Sequence, residues 1–186
     1  LSISEDIWHK EPIALAKSAG AQVVINLNAS PFHIEKMDVR EALLHKRALE
    51  VELPILYVNY MGAQDELVYE GGSFAVDSKG VKVFQAPWYE AGLYYIDLNA
   101  HSDFTIQGEE TYLVEPMLGM LTASSTIESR IYQALVLGLR DYVEKNHFNG
   151  VLIALNDDIE SILTFIIAVD ALGAKRVHGV IMVSSE

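Results

Sequence analysis

Val151-Leu152-Ile153-Ala154-Leu155, followed by Asn156-Asp157-Asp158-Ile159-Glu160-Ser161, decides how this chain is read. Five apolar residues run into a short polar turn, and a helical stretch continues to Leu172. Gly173 stops that helix, and a second β-branched run, Val177–Ser184, follows. Strand, turn, helix and strand at this spacing make a right-handed βαβ unit of the nucleotide-binding type. Such a turn ordinarily holds phosphate, because free backbone N–H groups and the positive end of the helix dipole converge on it. It also ordinarily carries glycine, so that the backbone can approach the anion. Asp157 and Asp158 bring bulk and negative charge to those positions.

Upstream, Val23–Leu27 reads as a buried strand closed by Asn28, Ser30 and Pro31. A helix is predicted over Ile34–Glu52, and a second buried strand over Ile55–Asn59 after Pro54. Leu67–Tyr69, Ser73–Val76 and Val81–Gln85 are short and separated by Gly71-Gly72 and Ser78-Lys79-Gly80, which predicts strands joined by tight turns. Strands linked partly by helices and partly by hairpins point to a layered α/β sandwich. From about Ala86 the pattern weakens into a linker with one edge strand, Tyr94–Leu98. Ser125-Thr126-Ile127-Glu128 reads as a capping box, and Ile131, Leu135, Leu139 and Val143 follow at helical spacing. A domain boundary is expected near residue 122, giving domains over 1–122 and 123–186.

The 186 residues are 51% hydrophobic, enough for a real core, with a formal charge of −13. That charge argues against non-specific binding to nucleic acid or an anionic membrane. With no cysteine, disulfides, thiolate zinc sites and a cysteine nucleophile are excluded. No basic leader precedes an apolar stretch, so the cytoplasm is the expected location. Leu1 opens inside a strand-like run, and both ends read as cut from something longer. The histidines, His9, His33, His45, His101, His147 and His178, lack ligand spacing and read as structural or surface residues. Tyr57, Tyr60, Tyr89, Tyr94 and Tyr95 read as core or interface residues, and Gln64-Asp65-Glu66 as a loop set by capping hydrogen bonds.

An ordered series of motifs resembles the glutamine-dependent NAD synthetases over nearly the whole chain. It comprises Ser4-Glu5-Asp6-Ile7-Trp8, Asn28-Ala29-Ser30-Pro31-Phe32 through Lys36, Tyr57-Val58-Asn59 and Gly62-Ala63-Gln64-Asp65-Glu66-Leu67-Val68. Ala134–Tyr142 and Ile167–Gly173 complete it. The resemblance implies the C-terminal half of a nitrilase-like α/β/β/α glutaminase, then the start of a Rossmann-like parallel α/β domain of the ATP-pyrophosphatase type. It further implies glutamine hydrolysis supplying ammonia for ATP-dependent amidation of nicotinate adenine dinucleotide to NAD, with ATP and Mg²⁺ required and a homo-oligomer as the assembly.

Residue by residue, Ser4 stands at the family's cysteine nucleophile, with Glu5 beside it. Ser30 and Lys36 stand at the positions that hold glutamine's α-amino and α-carboxylate groups. Asn156, Asp157, Asp158, Ile159, Glu160 and Ser161 stand in the Ser-Gly-Gly-X-Asp-Ser pyrophosphate loop. A serine hydroxyl ionises far less readily than a thiol and needs a placed base. The family's glutamate and lysine lie upstream of the nucleophile, so little or no turnover is expected from the chain as written. Ser4 reads equally as a hydroxyl satisfied by backbone or as a trap that keeps glutamine bound. Ser30 reads equally as a helix cap and Lys36 as a solvated side chain. Asp157, Asp158 and Glu160 read as an acidic helix N-terminus or as a divalent-cation site, while Asp157 and Asp158 would repel a triphosphate. The competing function is a non-catalytic homologue that binds a ligand or a protein partner. A plain nitrilase-type amidase would lack the βαβ unit.

Overall fold

The computed structural model describes residues 1–98, 104–105 and 126–181. It divides into two compact units, Leu1–Met61 with Tyr69–Ser124, and Gly62–Val68 with Ser125–Glu186. The boundary expected near residue 122 lies outside the described residues, as do Ser125, His101 and the end of the strand predicted to Ser184.

In the first unit, strands β1 (Ser2–Ile3), β2 (Val24–Asn28) and β3 (Ile55–Asn59) are parallel neighbours. The hairpin strands β4 (Met61–Gln64) and β5 (Leu67–Glu70) pair only with each other. β6 (Phe74–Val76) and β7 (Lys82–Gln85) extend the main sheet antiparallel, in the order β1-β2-β3-β6-β7. Helices α1 (Lys10–Ser18) and α2 (Lys36–Val51) provide the parallel crossovers. Leu44, Ala48 and Val51 recur at helical spacing on α2 and meet Ile55, Tyr57 and Phe74 of the sheet in one core cluster. Ile55, Tyr57 and Asn59 are buried while Leu56 and Val58 between them are only half-buried, so the sheet keeps one covered face. On the other, Ile3 is 61% exposed and its register partner Leu27 is 40% exposed. One helical layer on one sheet is half of an α/β/β/α sandwich.

Several local expectations shift. The predicted first strand begins at Val24, and the predicted helix at Lys36. Helix α1 escaped prediction because it is one short segment with Pro12 in its first turn, where proline is tolerated. Strand β4 was missed because Gly62 interrupts its apolar pattern. The edge strand predicted over Tyr94–Leu98 shrinks to β8 (Asp97–Leu98), which pairs with β9 (Phe104–Thr105). Of the tyrosines, Tyr57 is core, whereas Tyr60 is 47% and Tyr95 is 84% exposed.

The second unit holds α3 (Ile127–Lys145), β10 (Val151–Leu155), α4 (Ile159–Leu172) and β11 (Val177–Ile181). Strands β10 and β11 are parallel over Val151↔Val177 to Leu155↔Ile181, with α4 as the crossover, as the sequence predicts. The cap of α3 is Thr126, whose hydroxyl accepts from the Ser129 N–H, one residue later than the predicted box. Its buried residues are Ala134, Leu137 and Val143, while Leu135 is 49% exposed. Gly150 is required because a Cβ there would lie 2.2 Å from the Arg176 carbonyl oxygen. The tip of the β4–β5 hairpin belongs to this unit: Ala63 N–H donates to Asp141 at 2.8 Å, and Lys145 donates to the Ala63 carbonyl. Among the described residues no helix is long and apolar enough to cross a membrane.

Candidate functional site

In the first unit the parallel strands β1, β2 and β3 end side by side, and their carboxyl ends carry the predicted site residues. An open parallel sheet places its ligands at those ends. Ser4 is the residue where β1 gives way to a short 3-10 segment, Ser4–Trp8, and it takes φ 50°. A non-glycine residue in the left-handed region stores about 1–2 kcal/mol of strain. Such a strand-to-helix elbow exposes a nucleophile-bearing side chain. Ser4 and Glu5 are both exposed.

Buried asparagines hold this edge. Asn26 is fully buried, and its Nδ2 donates to Ser2 Oγ at 2.8 Å and to the Ser4 carbonyl at 3.4 Å. Asn28 Nδ2 donates in turn to Asn26 Oδ1. Asn59, at the end of β3, accepts from the Ser30 N–H at 2.9 Å and donates to the Gly71 carbonyl at 3.0 Å. The elbow and the loop after β2 are therefore fixed by side chains from within the sheet. An amide can do this because it donates and accepts at once.

Ser30 does not cap α2; the residue at that position, Glu35, makes no side-chain cap bond. The Ser30 hydroxyl instead accepts from Arg40 Nη2 at 2.9 Å, and it also bonds the Tyr57 phenol. Burial pushes that phenol above its ordinary value; the Arg40 guanidinium and the Ser30 hydroxyl oppose the shift, and Glu70 adds to it. Lys36 opens α2, half-buried, and its ammonium makes no hydrogen bond or ion pair among the described residues. Ser4, Ser30 and Lys36 thus lie after the ends of neighbouring strands, on an elbow, a loop and a helix start. That set supplies an exposed hydroxyl, a fixed hydroxyl and an uncommitted cation.

The acidic turn of the second unit is closed on itself. Asp158 caps α4, its carboxylate accepting from the Ser161 N–H at 2.7 Å. The Ser161 hydroxyl accepts from the Asn156 N–H at 3.1 Å and donates to the Asn156 and Asp158 carbonyls at 3.1 and 3.2 Å. The Ser161 N–H and hydroxyl, with a further bond from Asn156, hold the Asp158 carboxyl below its usual range. Asp157, Ile159 and Glu160 are exposed, Ile159 at 76%. The Ser161 N–H and hydroxyl and the Asn156 N–H are engaged within the turn, and Asp157 and Asp158 make its entrance negative, so the turn does not favour a triphosphate. Nor do Asp157, Asp158 and Glu160 converge into a cation site: among the described residues no group of three or more potential ligands could hold a metal.

Residue pattern assigns no part in the site to Asn26, Arg40 or Glu70, and Asn59 and Tyr57 enter only through the Tyr57-Val58-Asn59 motif and as a core tyrosine. A signal for three of them was present: Asn26 and Glu70 interrupt apolar strands, and Arg40 lies four residues before Leu44 on the buried face of α2.

Residues 1–103 match the carbon–nitrogen hydrolase family model. The chain belongs to the carbon–nitrogen hydrolase family. Residues 131–186 match the NAD synthase family model. The chain is 34% identical over 180 residues to a glutamine-dependent NAD(+) synthetase of Acinetobacter baylyi, covering 97% of this chain and 31% of that protein. It is 35% identical over 182 residues to the Rhodobacter capsulatus protein of the same name, with 98% and 31% covered. A structure of the Acinetobacter baumannii glutamine-dependent NAD+ synthetase in complex with ADP superposes with TM-score 0.82 at 34% identity. It covers 96% of this chain and 32% of that one. The chain spans about a third of the length of the curated relatives it matches. The nitrilase-like α/β reading of the fold stands on these matches.

Proposed function

We propose that this carbon–nitrogen hydrolase chain is a glutamine-binding segment of the glutamine-dependent NAD synthetase lineage whose ATP turn has been silenced. The observation that carries the reading is Ser4 at φ 50° on the elbow after β1, beside a loop fixed through Asn59. That elbow supports reading Ser4 as the nucleophile position, with serine in place of the thiol. In the lineage, glutamine amide hydrolysis supplies ammonia, and ATP-dependent chemistry amidates nicotinate adenine dinucleotide to NAD. In this chain Ser30 and Lys36 hold glutamine's polar ends, Ser4 faces the side-chain amide, and the serine hydroxyl makes hydrolysis negligible. The segment from residue 123 forms the start of the synthetase domain.

A second reading, a non-catalytic ligand-binding subunit, is favoured by one observation. The Asp158–Ser161 closure engages the Ser161 N–H and hydroxyl within the turn itself. Calorimetric titration separates the outcomes. The chain is expected to bind L-glutamine and to give no heat with ATP and Mg²⁺. Tight ATP binding would overturn the silenced-turn assignment, and absence of glutamine binding would overturn the pocket.

A further inference from the structure

The β2–α2 loop is held from beneath by a buried guanidinium that the motifs do not explain. Arg40 is 3% exposed and Glu70 is 1% exposed, an ion pair sealed from solvent. Such a pair gains little over a well-packed apolar one, so its presence calls for another reason. The geometry supplies one. Arg40 Nη1 faces Glu70 Oε1, while Nη2 donates to Ser30 Oγ at 2.9 Å, to the Pro31 carbonyl at 2.9 Å and to the Ser30 carbonyl at 3.4 Å. Arg40 Nε is buried without a hydrogen-bond partner. A guanidinium arranged only for its carboxylate would use two parallel N–H groups. Here the fork is split: one arm is anchored to β5, and the other reads three oxygens of one loop.

We infer that Arg40, held by Glu70, is a positioning residue that sets the conformation of the Ser30–Pro31 loop and so orients Ser30 toward an amino-acid ligand. The consequence for glutamine rests on the function proposed above; the loop's conformation does not. Lysine cannot replace arginine here, because a single ammonium cannot face Glu70 and three loop oxygens from separate nitrogens.

The test uses the full chain and its Arg40→Lys variant, which keeps a cation opposite Glu70. Hydrogen exchange of the Ser30 amide, whose acceptor is Asn59 Oδ1, reports the loop, and the Tyr57 amide reports the core. The variant is expected to exchange about tenfold faster at Ser30 with Tyr57 unchanged, because local opening leaves the core intact. Its affinity for L-glutamine by calorimetry is expected to fall about tenfold. Glu70→Gln, which keeps the shape and removes the anchoring charge, is the second variant should Arg40→Lys not fold, and it loosens Ser30 in the same direction. Ser30 exchange unchanged in the variant overturns the inference. So does faster exchange with unchanged glutamine affinity, since the loop would then be held without being used. If the parent chain shows no glutamine binding, the pocket assignment falls, and faster Ser30 exchange still establishes the positioning role.

Discussion

Arg40→Met is expected to destabilise the first unit by about 3–5 kcal/mol, because it leaves a carboxylate buried without its cation. Glu70 is 1% exposed and water does not reach it to compensate. The same change frees two loop carbonyls and the Ser30 hydroxyl from their shared donor. Urea unfolding followed by far-ultraviolet circular dichroism measures the loss directly. The double change Arg40→Met with Glu70→Leu is expected to recover most of it, since a pair of apolar residues carries no stranded charge. A single-variant loss of under about 1 kcal/mol would place the pair at the level of a surface ion pair, against the burial seen here.

The largest expected gain lies in the other unit. Changing Asn156→Ser, Asp157→Gly and Asp158→Gly together restores the glycine turn and is expected to raise ATP affinity at least about a hundredfold, or roughly 2.7 kcal/mol. Each carboxylate placed about 4 Å from a phosphate oxygen opposes binding by about 1–4 kcal/mol, from bulk water to a protein surface. Removing Asp158 also frees the Ser161 N–H that its carboxylate now occupies. The lost cap costs α4 only a few tenths of a kcal/mol, since glycine is itself tolerated at an N-cap. Titration of parent and triple variant with ATP and Mg²⁺ reads the difference. Equal affinities would show that the turn's charge is not what governs the site.

Much of the fold could be read from residue pattern. The βαβ unit was legible because Val151–Leu155, the α4 stretch and Gly173 each carry a strong local signal, and all three agree with the pairing of β10 and β11. Helix α1 and strand β4 were not legible, because Pro12 and Gly62 break short segments whose stability comes from packing rather than propensity. The ordered motifs singled out Ser4, Ser30 and Lys36, which the structure places after the ends of β1 and β2. The supports were not legible: Asn26 and Asn59 become visible only when parallel strands bring their ends together, and Arg40 meets Glu70 across 30 residues of sequence. The acidic turn was legible as an anomaly, but its closure by Ser161 depended on side-chain geometry.

The most direct test of the central claim uses the absence of cysteine from the chain. Ser4→Cys introduces a single thiol at the elbow after β1, and its alkylation by iodoacetamide can be followed by mass spectrometry with and without L-glutamine. If Ser4 lies against bound glutamine, alkylation slows as one plus the ratio of ligand to Kd, about tenfold at ten times Kd, while D-glutamine leaves the rate unchanged. An alkylation rate indifferent to L-glutamine up to tens of millimolar would contradict the glutamine pocket at Ser4.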